Sequence, residues 1–239
     1  MAAEEWQIRL AERWRRIVEE VAEAAVSAGR SPAAVRIVGV TKYVDATVTR
    51  ELANCGCLDL GEARPQQLVD KAEALSDLVP VRWHLIGSLQ RNKARRVVRV
   101  AHTIHSIDSE ELLGYLDRVA GEEQRPIDGL LEVNISGDVS KHGFTPESLL
   151  AAAAACRELA NVRVVGLMGM SGLGVDATEA RRQFALLRNL GQRLEQATGR
   201  SLPELSMGMS GDYREAIAEG ATLVRIGSSL FEGLGLPGA

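Results

Sequence analysis

The chain alternates. Eight short, nearly continuous apolar or β-branched runs are separated by stretches with helical spacing: VRIVGV (35–40), CLDLG (57–61), VRWHLIG (81–87), TIHSI (103–107), LLEVNIS (130–136), VRVVGLMGM (162–170), LSMGM (205–209) and TLVRIG (222–227). Helices are predicted over 45–53, 65–78, 109–120, 146–160 and 177–197, opened by an Asp cap, a first-turn Pro and an S-x-E-E pattern in the first three cases. A further amphipathic helix, from Glu4 to about Ala28 and stopped by Gly29, precedes the first run. Strictly alternating strands and helices require parallel pairing with crossover helices, and eight βα units predict a closed (β/α)8 barrel, a TIM barrel carrying an extra N-terminal helix. The competing open doubly wound sheet lacks its G-x-G-x-x-G turn, because the first run leads into Val40-Thr41-Lys42.

Composition narrows the class. With 239 residues, 46% of them hydrophobic and 25% charged, the chain can bury a large core, and one domain over 1–239 is expected. The formal charge of −4 gives no general attraction to nucleic acid or anionic lipid. Three cysteines, Cys55, Cys57 and Cys156, make no disulfide framework and predict a reducing, cytoplasmic setting. No signal peptide and no membrane-spanning run is read.

In such a barrel the working face is built at the C-terminal ends of the strands. Lys42 follows the first run there, where partial desolvation and nearby cations lower a lysine's pKa and free its amine to attack a carbonyl; the alternative is a lysine that merely snorkels to solvent. The seventh and eighth runs lead into Met209-Ser210-Gly211 and Arg225-Ile226-Gly227-Ser228-Ser229. Glycine lets backbone amides approach an anion and serine adds donors, at the two strands where barrels often bind phosphate. An amine opposite a phosphate cradle describes a site for a phosphorylated aldehyde, with pyridoxal 5′-phosphate (PLP) the leading candidate and a sugar-phosphate aldehyde the other.

The motifs VTK (40–42), HLIGSLQRNK (84–93), VNIS (133–136), SKHGF (140–144), GLM (166–168), LSMGMS (205–210) and VRIGSSLF (224–231) occur in one order along the chain. On these the sequence resembles the YggS/PROSC family of pyridoxal-phosphate-binding homeostasis proteins, from Val35 to Gly233. The resemblance implies a barrel similar to the alanine racemase N-terminal domain, with PLP as a Schiff base on Lys42. It also implies phosphate contacts from Ser210, Gly227 and Ser228, with Met209 adjoining them, and Arg225 beside the pyridine nitrogen. Ala63 departs from the family's Gly-Glu-Asn, so a polar contact from that position is not carried over, and none is assigned to Glu62. A guanidinium beside the ring nitrogen disfavours its protonation and weakens the ring as an electron sink. A holder of PLP, with apo-enzymes as recipients and a monomer as its state, is therefore expected over a PLP-dependent racemase or decarboxylase, or a class I aldolase.

Other signals read as structural. Cys55 and Cys57 lack the further Cys or His of a zinc site, and no metal is expected. His102 and His105, three apart on a strand, point to opposite faces. Arg91, Arg95 and Arg99 align on one helix face without interleaved aromatics, a solvated face rather than a nucleic-acid patch. Lys93 lies near the mouth on one reading, and Lys141 and His142 form a loop that either approaches substrate or stays on the surface.

Overall fold

The computed structural model describes residues 2–78, 80–138 and 142–236. Eight parallel strands close into a barrel in sequence order, with β8 (Leu223–Ile226) hydrogen-bonded to β1 (Arg36–Val40). The others are β2 (Asp59–Glu62), β3 (Arg82–Leu85), β4 (Thr103–Ile107), β5 (Ile127–Val133), β6 (Val162–Gly169) and β7 (Glu204–Met209). The expected TIM barrel with its leading helix is the fold observed.

Outside the barrel lie α1 (Ala2–Ser27), α2 (Ala46–Asn54), α3 (Pro65–Ala74), α4 (Arg91–Val100), α5 (Glu110–Glu122), α6 (Pro146–Ala151), α7 (Ala153–Glu158), α8 (Ala177–Thr198), α9 (Tyr213–Ala218) and α10 (Ser228–Phe231). Asp45 caps α2 by accepting from Val48 N at 2.9 Å, and Ser109 caps α5 through Leu112 N at 3.3 Å. At the end of α1, Gly29 adopts φ +69°, while Arg30 N bonds Ala25 O and Gly29 N bonds Val26 O, the paired bonds of a Schellman stop. Arg13 on α1 then reaches Ser229 O at 2.8 Å, tying this helix to α10.

Three predicted boundaries move. The fifth strand occupies Ile127–Val133 rather than 130–136, because pairing with β6 from Val162 onward overrides the poor strand propensity of Asp128 and Gly129. Its end is set where Phe144 N bonds Glu132 O and Asn134 N bonds Phe144 O, so Asn134 and Ser136 belong to the following loop. The third helix stops at Ala74, since Leu75 has left helical geometry at φ −115°, ψ 25°. The alanine-rich helix is interrupted at Ala152 (ψ −4°), although Ala152 N–Ser148 O and Cys156 N–Ala152 O bonds continue across the break.

Two apolar regions result. A large one, including Phe184, Leu113 and Leu190, fills the space between helices and barrel. A small one, Val38, Leu130, Met168 and Leu223, fills part of the lumen. Strand alternation carries the lumen side onward from these residues to Glu132 and Arg225, each two positions from one of them. Arg91 and Arg99 pair with Glu111 and Glu123 of α5, and Arg95 with Glu122 and Glu123, so the basic run is a solvated face neutralised by its neighbour, and Lys93 is exposed beside it. Cys55 is half-buried and Cys57 buried, with burial pushing both thiols up. Among the described residues no helix is long and apolar enough to cross a membrane.

Candidate functional site

Barrel closure juxtaposes β7, β8 and β1, and so gathers residues far apart in sequence. Met209 of β7 is in register with Arg225 of β8, and Gly39 of β1 with Ile226. Gly227 packs so tightly on β1 that an added Cβ would lie 3.2 Å from Val40 Cβ and 3.4 Å from Val40 O. Gly208 sits at φ +90° with no room for a side chain, its added Cβ meeting Ala216 Cβ at 2.6 Å. These glycines bring the two turns against each other. Ser210 Oγ accepts from Gly227 N at 3.4 Å and from Ser229 Oγ at 3.1 Å.

The amides of Ser228 and Ser229 open α10 and have no intrahelical acceptor. Ser228 is exposed, Ser210 and Ser229 half-buried, and Met209 is 40% exposed at the rim. Asp212 shapes the same turn: its Oδ1 accepts from Met209 N and its Oδ2 from Ser171 Oγ, both at 2.6 Å. Both carboxylate oxygens thus accept from donors at the C-terminal ends of β6 and β7, which fixes the turn.

Lys42 leaves β1 half-buried, with Nζ 4.9 Å from the centre of the Tyr43 ring. It lines a cavity of about 540 Å³ with Gln67, Asp70 and Lys71, and makes no hydrogen bond to the described residues of β7 or β8. The peptide before it is fixed from behind. Lys71 Nζ donates to Thr41 O at 2.7 Å and to Glu62 Oε1, which also accepts from Thr41 Oγ1 at 2.6 Å. Glu62, left without a role in the sequence reading, is fully buried here, and its Oε2 has no hydrogen-bond partner among the described residues.

Arg225 is 4% exposed in the lumen. Its Nη1 donates to Ser206 O (2.8 Å) and Ser206 Oγ (2.7 Å), and its Nη2 to Gly169 O at 3.1 Å. Burial pushes its pKa down to about 10, which leaves it cationic at neutral pH. Two lumen groups escaped the sequence reading. Glu132 is only 9% exposed, and burial together with nearby Asp108 pushes its carboxyl above the usual range. His105 is fully buried and bonded to His84 and Ser206, whereas His102 is exposed and accepts from Trp83 N. The two histidines do face opposite sides, and period-2 alternation from Leu130 would have flagged Glu132. His142 is exposed; Lys141 lies outside the described residues.

The donor set fits a phosphorylated aldehyde with a basic ring: clustered hydroxyls and amides for a dianion, a primary amine for the aldehyde, and a buried guanidinium. Comparisons with known proteins agree. Residues 11–234 match the alanine racemase N-terminal domain family. A pyridoxal phosphate homeostasis protein of Aquifex aeolicus is 40% identical over 220 residues, 92% of this chain and 96% of that one. One from a Synechocystis strain is 40% identical over 200 residues, covering 84% and 92%. The structure of PipY from Synechococcus elongatus with PLP bound superposes with a TM-score of 0.82 at 36% identity, over 93% of this chain and 99% of that one. The chain belongs to the alanine racemase N-terminal domain family and, within it, to the pyridoxal phosphate homeostasis proteins.

Proposed function

We propose that the protein binds PLP, holds it as a Schiff base on Lys42, and releases it to apo-enzymes without turnover of its own. The observation that best supports this reading is the pairing of β8 with β1, which brings the strand leading into Lys42 next to the strand that carries Arg225 and leads into Gly227 and Ser228, where Ser210 Oγ accepts from Gly227 N. PLP supplies an aldehyde: condensation with the neutral amine of Lys42 forms one C=N bond, and the carbonyl oxygen leaves as water with both amine protons.

The residues of the chain divide the remaining work. Ser210, Ser228 and the amides of Gly227 and Ser228 face the phosphate, with Met209 at the rim. Arg225 faces the ring nitrogen as a permanent cation, disfavours its protonation and so weakens the ring as an electron sink. That property suits a holder better than a carbanion-forming enzyme, in keeping with relatives named for homeostasis.

Introducing a carboxylate at the cradle, Ser210→Asp or Ser228→Asp, is expected to raise the Kd for PLP at least about tenfold by placing like charges together. Titration followed by absorbance measures it, and unchanged affinity in both variants removes the phosphate from these turns. A second reading, amino-acid racemisation or decarboxylation, has Glu132 in its favour, a buried carboxyl with a raised pKa facing the lumen. Incubating the PLP-loaded protein with a panel of amino acids in D2O separates the two. The carrier reading expects α-proton loss no faster than with free PLP; exchange at about 1 per second or faster supports an enzyme.

A further inference from the structure

Behind Arg225 a hydrogen-bonded line of buried polar groups crosses the lumen. Ser206 Oγ lies 2.9 Å from His105 Nδ1, His105 Nε2 lies 2.9 Å from His84 Nδ1, and His84 Nε2 lies 2.8 Å from Asp59 Oδ1. The five groups come from β8, β7, β4, β3 and β2, so the Ser206–His105 bond spans strands that are not neighbours in the barrel.

Elementary donor and acceptor rules settle its direction. A guanidinium only donates, so Ser206 Oγ accepts from Arg225. The hydroxyl proton of Ser206, fully buried, has one acceptor among the described residues, His105 Nδ1, and leaving it unmade would strand a polar group in the interior. His105 Nδ1 is therefore bare, and its ring proton sits on Nε2, donated to His84 Nδ1. His84 is forced into the same tautomer and donates from Nε2 to Asp59. Burial, with His84 and Arg225 close by, holds His105 well below its ordinary pKa, in keeping with a neutral ring. Asp59 ends the line as an anion, accepting from Arg82 Nε and Nη2 at 2.8 and 2.6 Å with Arg36 Nη1 at 3.7 Å.

We propose that Ser206, His105, His84 and Asp59 are positioning residues: a one-way hydrogen-bonded line, directed from Arg225 to Asp59, that fixes the guanidinium as a donor toward the ring nitrogen of bound PLP and relays its occupancy to the far end of the barrel. The proposal rests on the reading that PLP binds against Arg225. The line has a cation at one end and an anion at the other, and reversing it demands two simultaneous tautomer changes and an unpaired hydroxyl. Chains of this kind polarise one another, so a change at Arg225 is felt at His84, which does not touch it.

Long-range proton–nitrogen correlation spectra of the full chain labelled with 15N-histidine test this, without PLP and then with it. Both rings are expected as Nε2–H tautomers, the direction that the buried Ser206 hydroxyl imposes. Adding PLP is expected to shift the ring nitrogens of His105 and, more weakly, of His84. Ser206→Ala is expected to abolish the His84 response and weaken PLP binding about tenfold through the lost hydrogen bond to Arg225, while Ser206→Thr, which keeps the hydroxyl, retains both. An Nδ1–H tautomer or an imidazolium at either position overturns the proposal, as does a silent His84 in protein that has turned yellow with PLP. Should Ser206→Ala fail to fold, the wild-type spectra decide alone. Should PLP not bind, the cofactor reading and the relay fail together, while the tautomers of the PLP-free protein still decide the direction of the line.

Discussion

Lys42→Ala is expected to abolish the visible absorption that develops when the purified protein meets PLP, together with the borohydride-reducible adduct on the chain. The loss should be complete, because a Schiff base needs a primary amine and no neighbour can substitute. Lys71 shares the cavity with Lys42, but its Nζ is committed to Glu62 and Thr41 O. The proposed site gives phosphate binding to other residues, so the variant is expected to keep weak, reversible affinity for PLP through Ser210, Ser228 and Arg225. Absorbance after dialysis, and mass spectrometry of the reduced and digested protein, read the two properties separately. A persistent band, or an adduct mapped to another lysine, would remove Lys42 from its role.

Lys71→Met is expected to lower unfolding stability by about 3–5 kcal/mol, the usual cost of removing one partner from a buried ion pair. The side chains of Glu62 and Lys71 are 0% and 9% exposed, so solvent does little to rescue the carboxylate left behind. Glu62 Oε2 already lacks a partner among the described residues, which leaves the group no reserve. Urea denaturation of wild type and variant measures the difference, and the double variant Lys71→Met with Glu62→Leu should recover much of it, since no unpaired charge remains. A loss below about 1 kcal/mol would mean that the pair behaves like an exposed one. The effect should also reach the site, because Lys71 holds the carbonyl of the residue before Lys42.

The barrel was legible because its signal is repeated eight times, and every helix–strand switch reinforces the same topology. That Lys42 and the glycine–serine turns stand at the C-terminal ends of strands was legible because strand ends in a barrel share one face; whether they bind PLP together is what the lysine and serine variants test. What escaped were contacts across the lumen: His105 and Ser206 are 101 positions apart, and spacing along one strand carries no information about a partner on another. The Glu62–Lys71 clamp escaped because it joins a strand to the barrel-facing side of a helix, and spacing along either element does not reveal a partner on the other. The fifth strand was displaced by three residues because Asp128 and Gly129 read as turn residues when their partners in β6 are ignored.

Closure of β8 on β1 has a consequence for how the site comes into being. Lys42 is made well before Arg225 and the second serine turn, and the two strands next to them, β1 and β8, come together only through one of the longest-range pairings among the described residues. Such pairings form late, because loop closure opposes them until the rest of the barrel is in place. The binding site should therefore be absent from nascent or partly folded chains and appear with the final closing step, so that PLP, by favouring the closed barrel alone, stabilises the finished fold by mass action.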